Sequence, residues 1–155
     1  MKVRFYTNNK LCERITGHEN SKQISLLYKN SLRFNKKIDN NILRNQLFYN
    51  DTIKFLNLVE SRYYNYTSDI TVEIIILNCN IGIAKNNKIL DGLTLYYNHK
   101  YVILLKIDNA NYNRSILLHE LTHVIYDLLK PYENDFLKVE KGVEEWTEEI
   151  IKYII

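Results

Sequence analysis

The chain has 155 residues, of which 46% are hydrophobic, enough for one domain with a buried core and too few for two substantial domains. Its net charge of +3 is uneven: the first 54 residues hold 11 Lys or Arg against 4 acids, and the last 29 hold 4 against 8. No apolar run approaches the roughly 18 residues of a membrane span, and no signal peptide is evident. We therefore expect a soluble protein that is cytoplasmic or otherwise intracellular, with a viral or exported protein left open, and we expect it to be a monomer. Nucleic acid is not the expected partner, because no basic run is interleaved with aromatic residues.

The first part of the chain, residues 1–65, is predicted to be mainly helical after one short strand. Residues 2–7 alternate as a strand does, and residues 8–17 are interpreted as irregular. Apolar residues at helical spacing predict one helix over about residues 20–35 and another over about residues 39–64, with a break near Asn50 and Asp51. Two cysteines, Cys12 and Cys79, indicate no disulfide framework, and Cys79 is interpreted as a buried free thiol.

The second part, residues 70–155, is predicted to hold the strands and two further helices. Residues 70–77 are dense in β-branched side chains, which favours a central strand, and residues 78–91 are interpreted as a loop. Residues 93–97 and 101–107 predict a hairpin. Helices are then expected over about residues 113–129, ended by Pro131, and over about residues 135–155, where a regular helix is expected only after Gly142. Residues 1–155 therefore predict one α+β domain.

Residues 119–123 read His-Glu-Leu-Thr-His and lie within the first of these two helices. Side chains four residues apart share one face of a helix, so His119 and His123 can bind one zinc ion. Glu120 lies one position further round, within reach of a water molecule that the metal activates. The pentapeptide predicts a zinc site with Glu120 as general base.

Catalytic zinc takes three protein ligands, and neither His nor Cys follows His123. A carboxylate of the last helix is therefore expected as third ligand, and the candidates there are Glu144, Glu145, Glu148 and Glu149. Helical periodicity puts Glu144 at the edge of the apolar stripe, which favours it as the ligand. Glu148, one turn further on, is expected to hydrogen-bond the outer nitrogen of a ligand histidine. Glu140 and Glu145 remain alternatives for the third ligand.

Residues 119–123, followed by Glu144 with Thr147 and Glu148 three and four places later, resemble the gluzincin zinc metallopeptidases. In that group a ligand Glu lies on the next helix, followed by a small residue and an acidic residue at these spacings. The likeness covers roughly residues 101–151 and is closest to the minimal, minigluzincin-like members. It implies a zincin-like fold in which a small, mostly antiparallel sheet accompanies the motif helix and a C-terminal helix carries the third ligand.

The resemblance implies a zinc-dependent endopeptidase with a protein or peptide substrate. Tyr132, after Pro131, and His99, at the hairpin turn, are candidate donors to the oxyanion. By analogy, one hairpin strand would pair with an extended substrate. Two alternatives stay open: a non-catalytic zinc-containing binding or regulatory protein on a zincin scaffold, and a nucleic-acid-associated factor that uses the basic N-terminal helices.

Overall fold

A computed structural model describes residues 1–108 and 112–154, which form an α+β structure. The described strands are β1 (Lys2–Thr7), β2 (Lys36–Lys37), β3 (Thr71–Leu77), β4 (Gly82–Ile83), β5 (Ile89–Leu90), β6 (Gly92–Tyr97) and β7 (Lys100–Lys106). The described helices are α1 (Asn9–Arg14), α2 (Ser21–Lys29), α3 (Asn40–Leu43), α4 (Leu47–Thr67), α5 (Arg114–Leu129) and α6 (Phe136–Ile154). None of them is long and apolar enough to cross a membrane. The predicted end of the last helix, Ile155, lies outside the described residues.

Five strands form one sheet in the order β2-β1-β3-β7-β6. The central strand β3 pairs in parallel with both β1 and β7, whereas the outer strands β2 and β6 pair antiparallel with their neighbours. The prediction of a mostly antiparallel sheet is therefore wrong for its centre. The connections explain this, because the long crossover through α1–α4 brings the chain back to start β3 in the same direction as β1.

Both faces of the sheet are covered, which explains the unbroken apolar run of β3. Ile74 and Ile75 are adjacent in the chain and both fully buried. Since successive side chains point to opposite faces, Ile74 packs with α4 and α5 while Ile75 packs with α1 and α2. The motif helix α5 thus lies on the same face as α4 and α6.

Three local predictions are corrected by tertiary contacts. Residues 9–14 are helical rather than irregular, because the side chain of Asn8 caps α1 and is itself anchored through Ser31 and Asn35. The break before the long helix falls at residues 44–46, not at Asn50 and Asp51. Part of the predicted loop 78–91 forms the small β4–β5 hairpin.

Cys12 and Cys79 form a disulfide between α1 and the segment after β3, so the interpretation of Cys79 as a free thiol is wrong. The two Cα atoms lie 5.7 Å apart, although 67 residues separate them in the chain. Spacing in the sequence gave no sign of this pair, because the fold alone brings the two positions together.

Removing this bond is expected to destabilise the protein. A cross-link that spans 67 residues restricts the unfolded chain and corresponds to about 4 kcal/mol of loop-closure entropy. We expect Cys12→Ser to lower the free energy of unfolding by an amount of that order, measured by urea denaturation. The double variant Cys12→Ser/Cys79→Ser should then be insensitive to dithiothreitol. Equal stability of the wild type with and without reductant would contradict the bond.

Candidate metal centre

The motif helix α5 is fixed at its start by a buried carboxylate. Asp51 of α4 is 2% exposed and accepts a hydrogen bond of 2.6 Å from the Tyr112 hydroxyl. The same oxygen lies 3.0 Å from Nε of Arg114, the first residue of α5. The side chain of Asn113 caps the helix by accepting from the Ser115 N–H. These contacts set the position of α5 relative to α4.

Three side chains converge beside α5 in the arrangement of a metal site. His119 and His123 are part-buried on one face of the helix, with their Nε2 atoms 3.2 Å apart. Glu140, from the second turn of α6, places Oε1 2.9 Å from Nε2 of His123 and Oε2 3.4 Å from Nε2 of His119. One ligand atom from each of the three lies within 4.8 Å of the others.

The donor set fits a tetrahedral zinc ion. Ligand atoms at zinc–nitrogen distances of about 2.05 Å in a tetrahedron are separated by about 3.3 Å. The imidazole nitrogens lie 3.2 Å apart, close to that value, and the two oxygens of Glu140 lie 2.9 Å from His123 and 3.4 Å from His119. Two imidazoles and one carboxylate are also a ligand combination of catalytic zinc sites.

The carboxylate beside the histidines is thus that of Glu140, one of the alternatives for the third ligand, and not that of the favoured Glu144, one helical turn further on. Glu144 is exposed and stands outside the cluster, although its charge contributes to raising the pKa of His119. The physical reason is that α6 begins at Phe136 and passes through Gly142 without a break.

At Gly142, α6 packs closely against Tyr126 of α5. A Cβ atom at this position would lie 2.5 Å from Cε2 of Tyr126, which is 5% exposed and packs on Trp146. The absence of a side chain at Gly142 thus lets α6 lie close enough for Glu140 to reach the histidines.

Gly142→Ala is expected to destabilise the fold, against the helix propensity that ordinarily favours Ala by about 1 kcal/mol. The added methyl would displace a buried ring, and overpacking of this kind costs about 1–3 kcal/mol. Urea denaturation should show this loss, with the exposed neighbour Lys141→Ala as the control. A gain in stability for Gly142→Ala would contradict the close approach of the two helices.

The electrostatic environment makes Glu120 a stronger base than an ordinary carboxylate. Glu120 is 5% exposed, and burial raises its pKa although the nearby imidazoles oppose the shift. Hydrogen bonds from His119 and His123 lower the pKa of Glu140 to about 2. Burial acts to lower the pKa of His119, but the carboxylates of Glu140, Glu120 and Glu144 together outweigh it and raise that pKa.

Strand β6 is the edge of the described sheet on the side of the motif helix and contacts Glu120 directly. A Cβ at Gly92 would lie 2.8 Å from Cγ of Glu120, so the strand starts in close contact with α5. The Thr94 hydroxyl donates to the Glu120 carbonyl oxygen at 3.2 Å and lies 3.5 Å from its carboxylate Oε2. Sequence reasoning missed both residues, because only the fold shows that β6 runs along α5.

The remaining predicted residues do not join the cluster. Glu148 is exposed and lies eight residues beyond Glu140, about 12 Å along the helix, too far to hydrogen-bond a ligand histidine. Tyr132 is 93% exposed after the end of α5, and His99 is exposed at the turn between β6 and β7. Among the described residues, neither Tyr132 nor His99 contacts the histidine pair through a hydrogen bond.

Next to His123 lies an open cavity of about 180 Å³, bounded by α5 and the β6–β7 hairpin. The Tyr101 hydroxyl donates to Asp127 at this cavity, and burial together with that carboxylate raises the pKa of Tyr101. Sequence reasoning did not single out this pair.

Comparison of the chain with protein-family models, with curated proteins and with solved structures gives no match.

Proposed function

We propose that the chain is a zinc-dependent endopeptidase with His119, His123 and Glu140 as ligands. One observation carries the proposal: the two motif histidines and a carboxylate from another helix converge, with one possible ligand atom from each within 4.8 Å of the others. Zinc would supply a Lewis acid that polarises the scissile carbonyl and makes water nucleophilic near neutral pH.

Glu120 is proposed to accept the proton of the attacking water on its carboxylate and to pass it to the leaving amine. Its burial supports this role, because a raised pKa moves a carboxylate towards the range in which it can both accept and return a proton. Thr94 contacts the carboxylate and the backbone of Glu120 and would hold the base in place.

The substrate is proposed to be an extended peptide that pairs with β6. This strand pairs with β7 on one side, and no described strand lies on the other. A peptide added there would gain backbone hydrogen bonds without regard to its sequence. The cavity of about 180 Å³ beside His123 offers space for one side chain of such a peptide, against Tyr101 and Asp127.

Turnover of a mixed-sequence peptide library tests this function. We expect cleavage by the zinc-loaded protein, loss of cleavage after treatment with 1,10-phenanthroline, and recovery when zinc is added back in slight excess. Mass spectrometry would identify the cleaved bonds. Stoichiometric zinc without cleavage of any library member would contradict the endopeptidase and favour the non-catalytic zinc protein.

A further inference from the structure

The edge of the sheet remote from the metal centre has an unpaired stretch of backbone. Strand β2 pairs with β1 only at Tyr6 and Thr7, and one further bond joins the Ile38 N–H to the Phe5 carbonyl. The Lys2 N–H donates to Ile70 on the β3 side, so strand alternation turns the N–H and C=O of Val3 outwards. Among the described residues, no strand lies beside β1 at this position.

A groove of about 460 Å³ runs along this free edge, between β1 and the helices α3 and α4. Its far wall is mainly apolar and includes Leu43, Tyr49, Ile53 and Leu56. Ile53 is 38% exposed, so the wall is open to solvent. The groove thus combines backbone hydrogen-bonding groups on one side with an apolar surface on the other.

The charge at the groove is of one sign. Lys2, Arg4 and Lys37 line it, and no acidic side chain is among the described lining residues. Two acids adjoin lining residues along the chain: the exposed Asp39, whose carboxylate caps α3 by accepting from the Asn41 N–H, and the buried Asp51, which accepts from Tyr112 and Arg114.

We propose that this groove, the β1 groove, binds an extended acidic peptide segment of a partner protein by strand addition to β1. Backbone pairing at Val3 would set the register, and alternate acidic side chains would face Lys2, Arg4 and Lys37. The basic lining residues complement an acidic segment, and the outward N–H and C=O of Val3 can pair with its backbone. The proposal does not depend on the metal chemistry, because β2 and β6 lie at opposite edges of the sheet.

The test uses the full chain and three fluorescent octapeptides: alternating Glu-Val, the same sequence with every backbone nitrogen methylated, and alternating Lys-Val. We expect saturable binding of the Glu-Val peptide alone, because methylation removes its N–H donors and Lys reverses its charge. Amide hydrogen exchange at Val3 should slow when the peptide is bound.

Charge-reversal variants locate the site. Arg4→Glu/Lys37→Glu is expected to weaken binding of the Glu-Val peptide by about tenfold or more. Lys22→Glu/Lys29→Glu, which makes the same change in net charge on α2, should change it by less than about twofold. Circular dichroism and thermal unfolding would verify that the variants fold.

Three results would overturn the proposal. They are absence of saturable binding of the Glu-Val peptide, equal binding of its methylated form, and equal weakening by the two pairs of substitutions. Tighter binding of a single-stranded oligonucleotide of matched charge would also overturn it and would assign the basic surface to nucleic acid instead.

Discussion

Glu120→Gln is expected to abolish peptide hydrolysis while leaving about one zinc ion bound per chain. Glutamine has nearly the same shape and can keep the contact with Thr94, but it cannot accept a proton from water. Loss of general-base catalysis lowers rates by about 100-fold to 10,000-fold. The measurement is kcat/KM on the best library peptide, together with zinc content by mass spectrometry of the metal.

Glu145→Gln is the matched control for this variant, because Glu145 is exposed on α6 and outside the metal centre. It should hydrolyse peptides at the wild-type rate. If Glu120→Gln cleaved peptides as fast as the wild type while retaining zinc, Glu120 would not be the base.

Glu140→Ala is expected to weaken zinc binding by more than about 100-fold. Loss of a residue that only hydrogen-bonds a metal ligand weakens metal binding by about 10-fold to 100-fold, and loss of a ligand itself should weaken it further. The substitution removes the carboxylate that lies 2.9 Å from His123 and 3.4 Å from His119. Zinc affinity would be measured by competition with a fluorescent chelator. The rise in melting temperature that zinc gives the wild type should also disappear, because a ligand that binds the folded state stabilises it by linkage.

The chain offers a close control one helical turn away. Glu144→Ala removes the same charge from the same helix, but Glu144 is exposed and outside the cluster. It should keep zinc at wild-type affinity to within about threefold, since it acts on the histidines through charge alone. The opposite ranking, with Glu144→Ala losing zinc and Glu140→Ala keeping it, would restore Glu144 as the ligand.

The part of the metal centre that lies within one helix could be predicted from the sequence. His119 and His123 are four residues apart on a helix, and that geometry alone brings their imidazoles together. The helix itself was also predictable, because residues 114–129 contain neither Pro nor Gly. Long-range packing has little influence on such a relation.

The carboxylate that lies beside the two histidines could not be identified in this way, because its identity depends on how two helices pack. Periodicity shows on which side of α6 each carboxylate lies. It does not give the height of each carboxylate along α5, that is, which one is level with the two histidines. That height is set at Gly142, where α6 approaches Tyr126. A glycine inside a helix suggested an irregular start, yet here it marks a close contact within a continuous helix.

The disulfide and the parallel centre of the sheet were missed for a related reason. Cys12 and Cys79 meet because α1 packs on the sheet face next to the end of β3. The order β1-β3-β7 likewise follows from crossovers that periodicity does not describe. The four longer strands, β1, β3, β6 and β7, were predictable from alternation and β-branching, whereas the two-residue strands β2, β4 and β5 were not.

Anomalous diffraction at the zinc edge, from crystals grown with one equivalent of zinc, tests the central claim most directly. We expect one strong peak within about 2.2 Å of Nε2 of His119, Nε2 of His123 and a carboxylate oxygen of Glu140. A peak held by other side chains, or none beside α5, would contradict the metal centre and with it the proposed hydrolysis.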